Sequence, residues 1–350
     1  MSRRVVSRTS AVNSDGATKN VGNIVKSREE WLASGVRETT SKVYTKAVMD
    51  FRMWLKIQLH LKSEKTVSDL SVLSAFELDH MLSLYFTDLR NMGMNNLQKA
   101  NNCFHGIRHF YLQFRMTLPI SHRFLKVWTK HKPNSQKSPI PWRVAVVLAR
   151  MAAEADCAAE GLAMLLMHHT YIRVGNLLQL RRKDVNIRYM DDIDVSKSRS
   201  HPYAVISLRR TKTGKDQCVF VERYDLARVL QRYILDWEDL KPDDRIFPWS
   251  YAYFKQFFTK LCESATLSRF NFTLHKFRHG GATESALSGK SFEYIKHRGL
   301  WKSDEAVRNY ISTGLCCQIM DELPELILQL GNLLQRNVCL CFRTDIPLFK

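Results

Sequence analysis

The sequence predicts a mainly α fold with one small antiparallel β-sheet, an α+β chain in two domains. Apolar residues recur at helical spacing over most of the chain. The period shifts to two only at Ala204–Leu208 and Cys218–Val221. A polar segment with three prolines, Lys130 to Pro141 (KHKPNSQKSPIP), interrupts the helical pattern and reads as a linker. At 350 residues the chain is long enough for two hydrophobic cores.

Residues 1–27 are polar and basic and read as a flexible arm. Its Arg3, Arg4, Arg8, Lys19 and Lys26 suit phosphates or plain solvent equally. Residues 28–132 form a first domain, a bundle of four or five helices. Its stripes are Val43, Ala47, Phe51 and Leu55 beside Trp54; Leu78, Met81, Leu82, Tyr85, Phe86 and Leu89; and Phe104, Ile107, Phe110, Tyr111 and Phe114. Gly93, between Asn91 and Asn95, ends one helix before the next. Lys99, Arg108 and Arg115 are candidate DNA contacts, with a solvated helix face as the alternative. After a linker at 133–141, a second domain spans 142–320. It is expected to be helical to about 189, then to form the sheet, then to be helical again from Leu226. A C-terminal helix and tail fill 321–350. Pro324 marks that helix's start, and its stripe is Ile319, Leu323, Leu326, Ile327, Leu330, Leu333 and Leu334.

Fifty-three Lys and Arg face thirty-four Asp and Glu, a net charge of +19. Such an excess favours a polyanionic partner, most often nucleic acid. The eight cysteines form no C-x-x-C pair, which argues against a zinc site and fits free thiols in a reducing compartment. No apolar run approaches the ~20 residues that span a bilayer. The opening MSRRVVSRTS lacks a secretory apolar stretch. A soluble, intracellular protein is expected.

Three segments stand out: TYIRVGNLLQLRRKDV at 170–185, where an arginine at the mouth of a short amphipathic helix is followed by basic residues and then a strand; the turn RRTKTGKDQ with Lys212; and LHKFRHGGATESALSGKSFEYIKHRGLWKSDEAVRNYI at 274–311. A phosphodiester exchange needs guanidinium groups to clamp the non-bridging oxygens, a nucleophile in line, and an acid for the leaving oxygen. A phenol with a pKa near ~10 needs help in losing its proton. The three segments hold such groups. His168 and His169 are adjacent on a helix, point apart, and read as structural. Asp191, Asp192 and Asp194 lack a partner carboxylate cluster for metal binding.

In this order and spacing the residues resemble the tyrosine recombinase (phage integrase) family, over about residues 30–320. Arg173 matches the family's early arginine, Lys212 its hairpin lysine, and His275 and Arg278 its H-x-x-R. Trp301 stands where the family has His or Trp, and Tyr310 where it has its nucleophile. The first domain resembles the family's core-binding domain. The resemblance implies a catalytic domain that joins Tyr310 to a 3′ phosphate, with Arg173 and Arg278 on the non-bridging oxygens. His275 then assists proton movement at the nucleophile, Lys212 protonates the 5′ oxygen, and Trp301 supports the phosphate. It implies double-stranded DNA as partner, a homotetramer on two duplexes, and no cofactor. Ser303, Asp304 and Glu305 make an N-cap and first turn for a helix bearing Tyr310. Two departures stand: Asn176 replaces a common Glu, and Lys215 rivals Lys212. An inactive DNA-binding descendant and a type IB topoisomerase-like enzyme are the competing readings. The terminal helix packs on its own domain or on a neighbouring subunit.

Overall fold

The computed structural model describes residues 35–58, 70–132, 138–190, 201–211, 214–235 and 240–343. The chain divides at residue 135 into two compact units.

Among the described residues the first unit holds four helices: α1 (Glu38–Gln58), α2 (Ala75–Asn91), α3 (Leu97–Phe110) and α4 (Pro119–His131). Ala47, Phe51 and Leu55 of α1 meet the α2 stripe in one core with Phe104, Ile107 and Trp128. Ser74 and Glu77 make a reciprocal capping box that starts α2. Asp79 of α2 is buried and accepts the N–H groups of Ile120 and Ser121 at 2.8 Å each, satisfying the first turn of α4. Gly93 follows α2 with φ +132°, a conformation reserved for glycine, as the sequence suggested. Two stripe residues depart from expectation: Val43 is 47% exposed and Phe110 is 41% exposed. Val43 lies near the start of α1, where the buried face has drifted round from Phe51 and Leu55. Phe110 ends α3, and the chain then tightens into a 3₁₀ turn at Leu112–Phe114, so one helical period does not span the stripe.

The second unit is built on α5 (Trp142–Glu154) and α6 (Ala158–Thr170), both apolar on nearly every side and buried accordingly. Asp156, with φ 57°, breaks the Ala/Leu/Met run into these two helices. A four-residue α7 (Val174–Leu177) leads to a three-stranded antiparallel sheet in the order β1 (Val185–Met190), β2 (His201–Arg210), β3 (Lys215–Val221). Strand β1 corrects the expectation of helix to residue 189 and lies where a strand was expected after Arg181–Lys183. Its VNIRYM alternates apolar and polar residues from Val185 to Tyr189 and pairs with β2, Val185 opposite Ile206. Helices α8 (Tyr224–Leu235), α9 (Tyr251–Ser264), α10 (Lys276–Leu287), α11 (Phe292–Arg298), α12 (Asp304–Arg308), α13 (Thr313–Asp321) and α14 (Glu325–Leu334) complete the unit.

Helix α4 runs to His131, into the start of the proline-containing segment Lys130–Pro141, and Ile140 near its end is fully buried in the second core. Helix α14 starts after Pro324 as expected and packs on α5 of its own chain, so close that a Cβ on Gly331 would stand 2.7 Å from Arg143 Cβ. Leu326 and Leu333 are exposed, against expectation, while Ile327, Leu330 and Leu334 join the buried core. The chain then turns through a 3₁₀ segment, Val338–Phe342, whose Val338 and Cys341 are fully buried. Arg150 of α5, 1% exposed, pairs with Glu154 and donates to the carbonyls of Leu340 and Arg343.

Candidate active site

Helix α6 ends at Thr170, and Tyr171 takes up a left-handed conformation (φ 55°, ψ 22°). This reverses the chain and sets Arg173 at the N-cap of α7. The Tyr171 carbonyl then accepts a hydrogen bond from Arg278 Nη1, and its hydroxyl bonds Ser285. Arg278 sits on α10, which passes close to α6 because Gly281 has no side chain. A Cβ there would lie 2.0 Å from the His168 carbonyl oxygen.

Arg278 is 3% exposed. Its Nη2 donates to the Gly299 carbonyl, and its guanidinium carbon lies 4.2 Å from the Trp301 ring centre and 5.3 Å from that of Tyr310. Burial lowers its pKa, and the nearby positive charge of Arg173 lowers it further. An arginine cannot shed this conflict by deprotonating at neutral pH, so an anion arriving between the two is the natural relief. Arg278 Nε and Trp301 Nε1 are buried donors with no acceptor among the described residues. Such N–H groups are costly to leave unpaired and mark a place for an acceptor. Arg173 is half-buried.

Tyr310 lies against these donors. Its hydroxyl is 3.2 Å from His275 Nε2, with the donor set by the histidine tautomer. His275 occupies the N-cap of α10 and is exposed. The phenol ring packs on Trp301 at 4.8 Å and on His279 at 4.3 Å between centroids. Ser303 caps α12 as expected, its Oγ accepting the Ala306 N–H at 3.3 Å. The helix ends at Arg308, however, so Tyr310 is carried in the turn beyond it rather than on the helix. Trp301 is buried under Gly299, where a Cβ would fall 1.8 Å from the indole.

Residues 145–314 match the model of the phage integrase family. Residues 145–314 form a phage integrase family domain. The integrase domain is thus that of a tyrosine-type DNA recombinase, as the motif order implied. A comparison with curated proteins gives no match. Among solved structures, the chain is similar to a lambda integrase fragment (75–356) bound as a dimer to a COC′ core site, at 17% identity and TM-score 0.49, covering 83% of this chain and 94% of that one. It is also similar to XerH recombinase bound to its palindromic difH substrate, at 16% identity and TM-score 0.48, covering 73% and 72%. For the Tn1549 transposon integrase in complex with circular intermediate DNA the values are 14%, 0.48, 78% and 95%.

The integrase domain therefore brings together Arg173, His275, Arg278, Trp301 and Tyr310. Lys212 lies outside the described residues, as does the Lys215 side chain. The flanking Thr211 and Gly214 close a turn, with Thr211 N donating to Gly214 O at 2.9 Å. Asn176 borders a cavity of about 570 Å³ lined also by Gln179, Arg181, Asp184 and Arg209. In the first unit, Lys99 and Arg115 are exposed. Arg108 is only half free: its Nε donates to the Arg115 carbonyl at 2.7 Å and its guanidinium covers Phe104. Nine residues apart on α3, Lys99 and Arg108 fall on opposite faces, so they do not form one basic stripe. His168 is fully buried, with Nε2 3.0 Å from the Ile140 carbonyl, and His169 Nε2 meets Arg298 at 3.0 Å. Both are structural, and no cluster of metal-ligating side chains occurs among the described residues. Asp191, Asp192 and Asp194 lie outside them.

Sequence reasoning passed over Tyr171, His279 and Thr283. His279 and Thr283 follow His275 at intervals of four in LHKFRHGGATES, a visible helical face. Tyr171 carried no signal, since its backbone conformation is unusual for a tyrosine.

Proposed function

We propose that the protein cleaves and rejoins DNA strands through a covalent 3′-phosphotyrosine at Tyr310. The observation that carries this is the meeting of the Tyr310 hydroxyl with His275, beside the unpaired buried donors of Arg278 and Trp301. In this reading the scissile phosphate enters between Arg173 and Arg278. The Tyr310 oxygen forms a bond to phosphorus as its proton passes to His275, and the bond from phosphorus to the 5′ oxygen breaks. Lys212 delivers a proton to that oxygen, leaving a 5′ hydroxyl. The two guanidinium groups and the Trp301 N–H hold the charge of the phosphorane, where such donors have their largest effect. Attack by another 5′ hydroxyl reverses the steps on a new strand, and the tyrosyl phosphodiester conserves the energy of the broken bond. The net charge of +19 supports double-stranded DNA as substrate. Exchange between two duplexes calls for four active sites, hence a homotetramer acting within the cell on its DNA.

The test is incubation with a pool of nicked duplexes of randomised core sequence, from which a cleaved end cannot be religated. A DNA-linked peptide containing Tyr310 is expected. Adducts at another residue, or none from a protein that retains the pool, overturn the reading.

A further inference from the structure

Helix α10 offers His275, His279 and Thr283 at intervals of four, so that they share one face. Each touches a different part of the Tyr310 segment. His275 Nε2 meets the hydroxyl. The His279 ring, fully buried, stacks on the phenol with 24° between planes. Thr283, also fully buried, uses one hydroxyl twice, donating to the Tyr310 carbonyl at 3.2 Å and accepting the Ser312 N–H at 3.1 Å. Residues 309–312 connect a five-residue helix to α13 and include Tyr310 itself.

We infer that Thr283 and His279 are positioning residues that strap the nucleophile to its own catalytic helix. This rests on the reading of Tyr310 as nucleophile. The Thr283 hydroxyl fixes the backbone on both sides of Ile311, and His279 fixes the plane of the ring. The hydroxyl is left little freedom except at His275. Misplacing a reacting group by about 1 Å costs on the order of a hundredfold in rate. The strap acts through Tyr310 and touches no reacting atom.

The decisive comparison is Thr283→Val, of equal volume but unable to bridge, against Thr283→Ser, which restores the hydroxyl. Thr283→Ala serves if the valine does not pack. Two readouts are taken: amide exchange over residues 309–313 without DNA, and single-turnover adduct formation on the nicked pool. Valine should raise the exchange and slow adduct formation by roughly tenfold or more, with DNA affinity unchanged, and serine should restore both. His279→Ala should slow adduct formation, and His279→Phe should recover it by stacking. Exchange unaltered by valine overturns the strap, whatever the activity. Raised exchange with an unaltered adduct rate overturns its part in positioning. A parent protein that forms no adduct instead overturns the reading of Tyr310, while exchange still decides the strap.

Discussion

The imidazole Nε2 of His275 stands 3.2 Å from the hydroxyl of Tyr310, although 35 residues separate them in sequence. Helix α10 and the turn after α12 are folded together so that an imidazole meets a phenol. Removing the phenol oxygen should abolish chemistry alone. Tyr310→Phe is expected to form no DNA adduct and to bind duplex DNA as tightly as the parent. His275→Gln should slow adduct formation by about 10² to 10⁴, the range of general acid–base assistance. Gel analysis of adducts beside a filter-binding titration checks both.

The two arginines should separate by their effect on stability. Arg278 is buried and donates to the Tyr171 and Gly299 carbonyls, so Arg278→Lys loses planar donors that hold the fold and, in the proposed mechanism, the phosphate. It is expected to lower the melting temperature and to reduce adduct formation by about 10² to 10³. Arg173, half-buried, should lose a comparable rate on substitution by lysine with little change in melting temperature. Equal melting losses for the two would contradict this division of labour.

Histidine burial predicts an acid-labile fold. Burial holds the pKa of His168 at about 4 and that of His169 well below 6.5. Both bind protons more readily when unfolded, so stability is full above about 6.5 and is lost as pH falls toward about 4. Each should shift the unfolding equilibrium by up to about tenfold per pH unit inside that window. Urea midpoints at pH 7.5, 6 and 5 test this. A flat series, or one left unchanged by His168→Asn, refutes it.

Salt should weaken DNA binding steeply. The logarithm of affinity is expected to fall against that of salt with a slope of about −0.9 per phosphate neutralised. Arg115→Ala should flatten the slope by about one such increment if this exposed arginine contacts the backbone.

Glycine requirements are sharply local. Gly281→Ala places a methyl against the His168 carbonyl and should destabilise by roughly 1–3 kcal/mol or more. Gly175→Ala meets nothing within 4 Å and should be tolerated. Thermal melts of the pair give the contrast.

The sequence displayed the helices wherever an apolar face was long enough to repeat, as in α2, where Leu78, Leu82, Phe86 and Leu89 all reach the core. It displayed the candidate site because Arg173, the H-x-x-R pair His275 and Arg278, Trp301 and Tyr310 keep a family-like order and spacing. Strand β1 was legible only in part: a strand was expected after the basic residues Arg181–Lys183, but its partner and register lie in β2, outside its own six residues. The left-handed Tyr171 was hidden for a related reason. Its conformation is imposed by contacts to Arg278 and Ser285, each more than a hundred residues away. The Arg108 bond to the Arg115 carbonyl likewise depends on a turn geometry that charge patterning does not encode.

The guanidinium of Arg150 has consequences for where this polypeptide tolerates trimming. Its acceptors at Leu340 and Arg343 are backbone oxygens, so no choice of side chains can replace them once the tail is removed. A fragment stopped near residue 320 would keep every residue gathered around Tyr310 yet bare the wall of α5, leaving Arg150 with Glu154 but without its two carbonyl acceptors. Shortened preparations should therefore precipitate or behave as loosened globules, and inactivity in such material would speak to its folding and not to its chemistry.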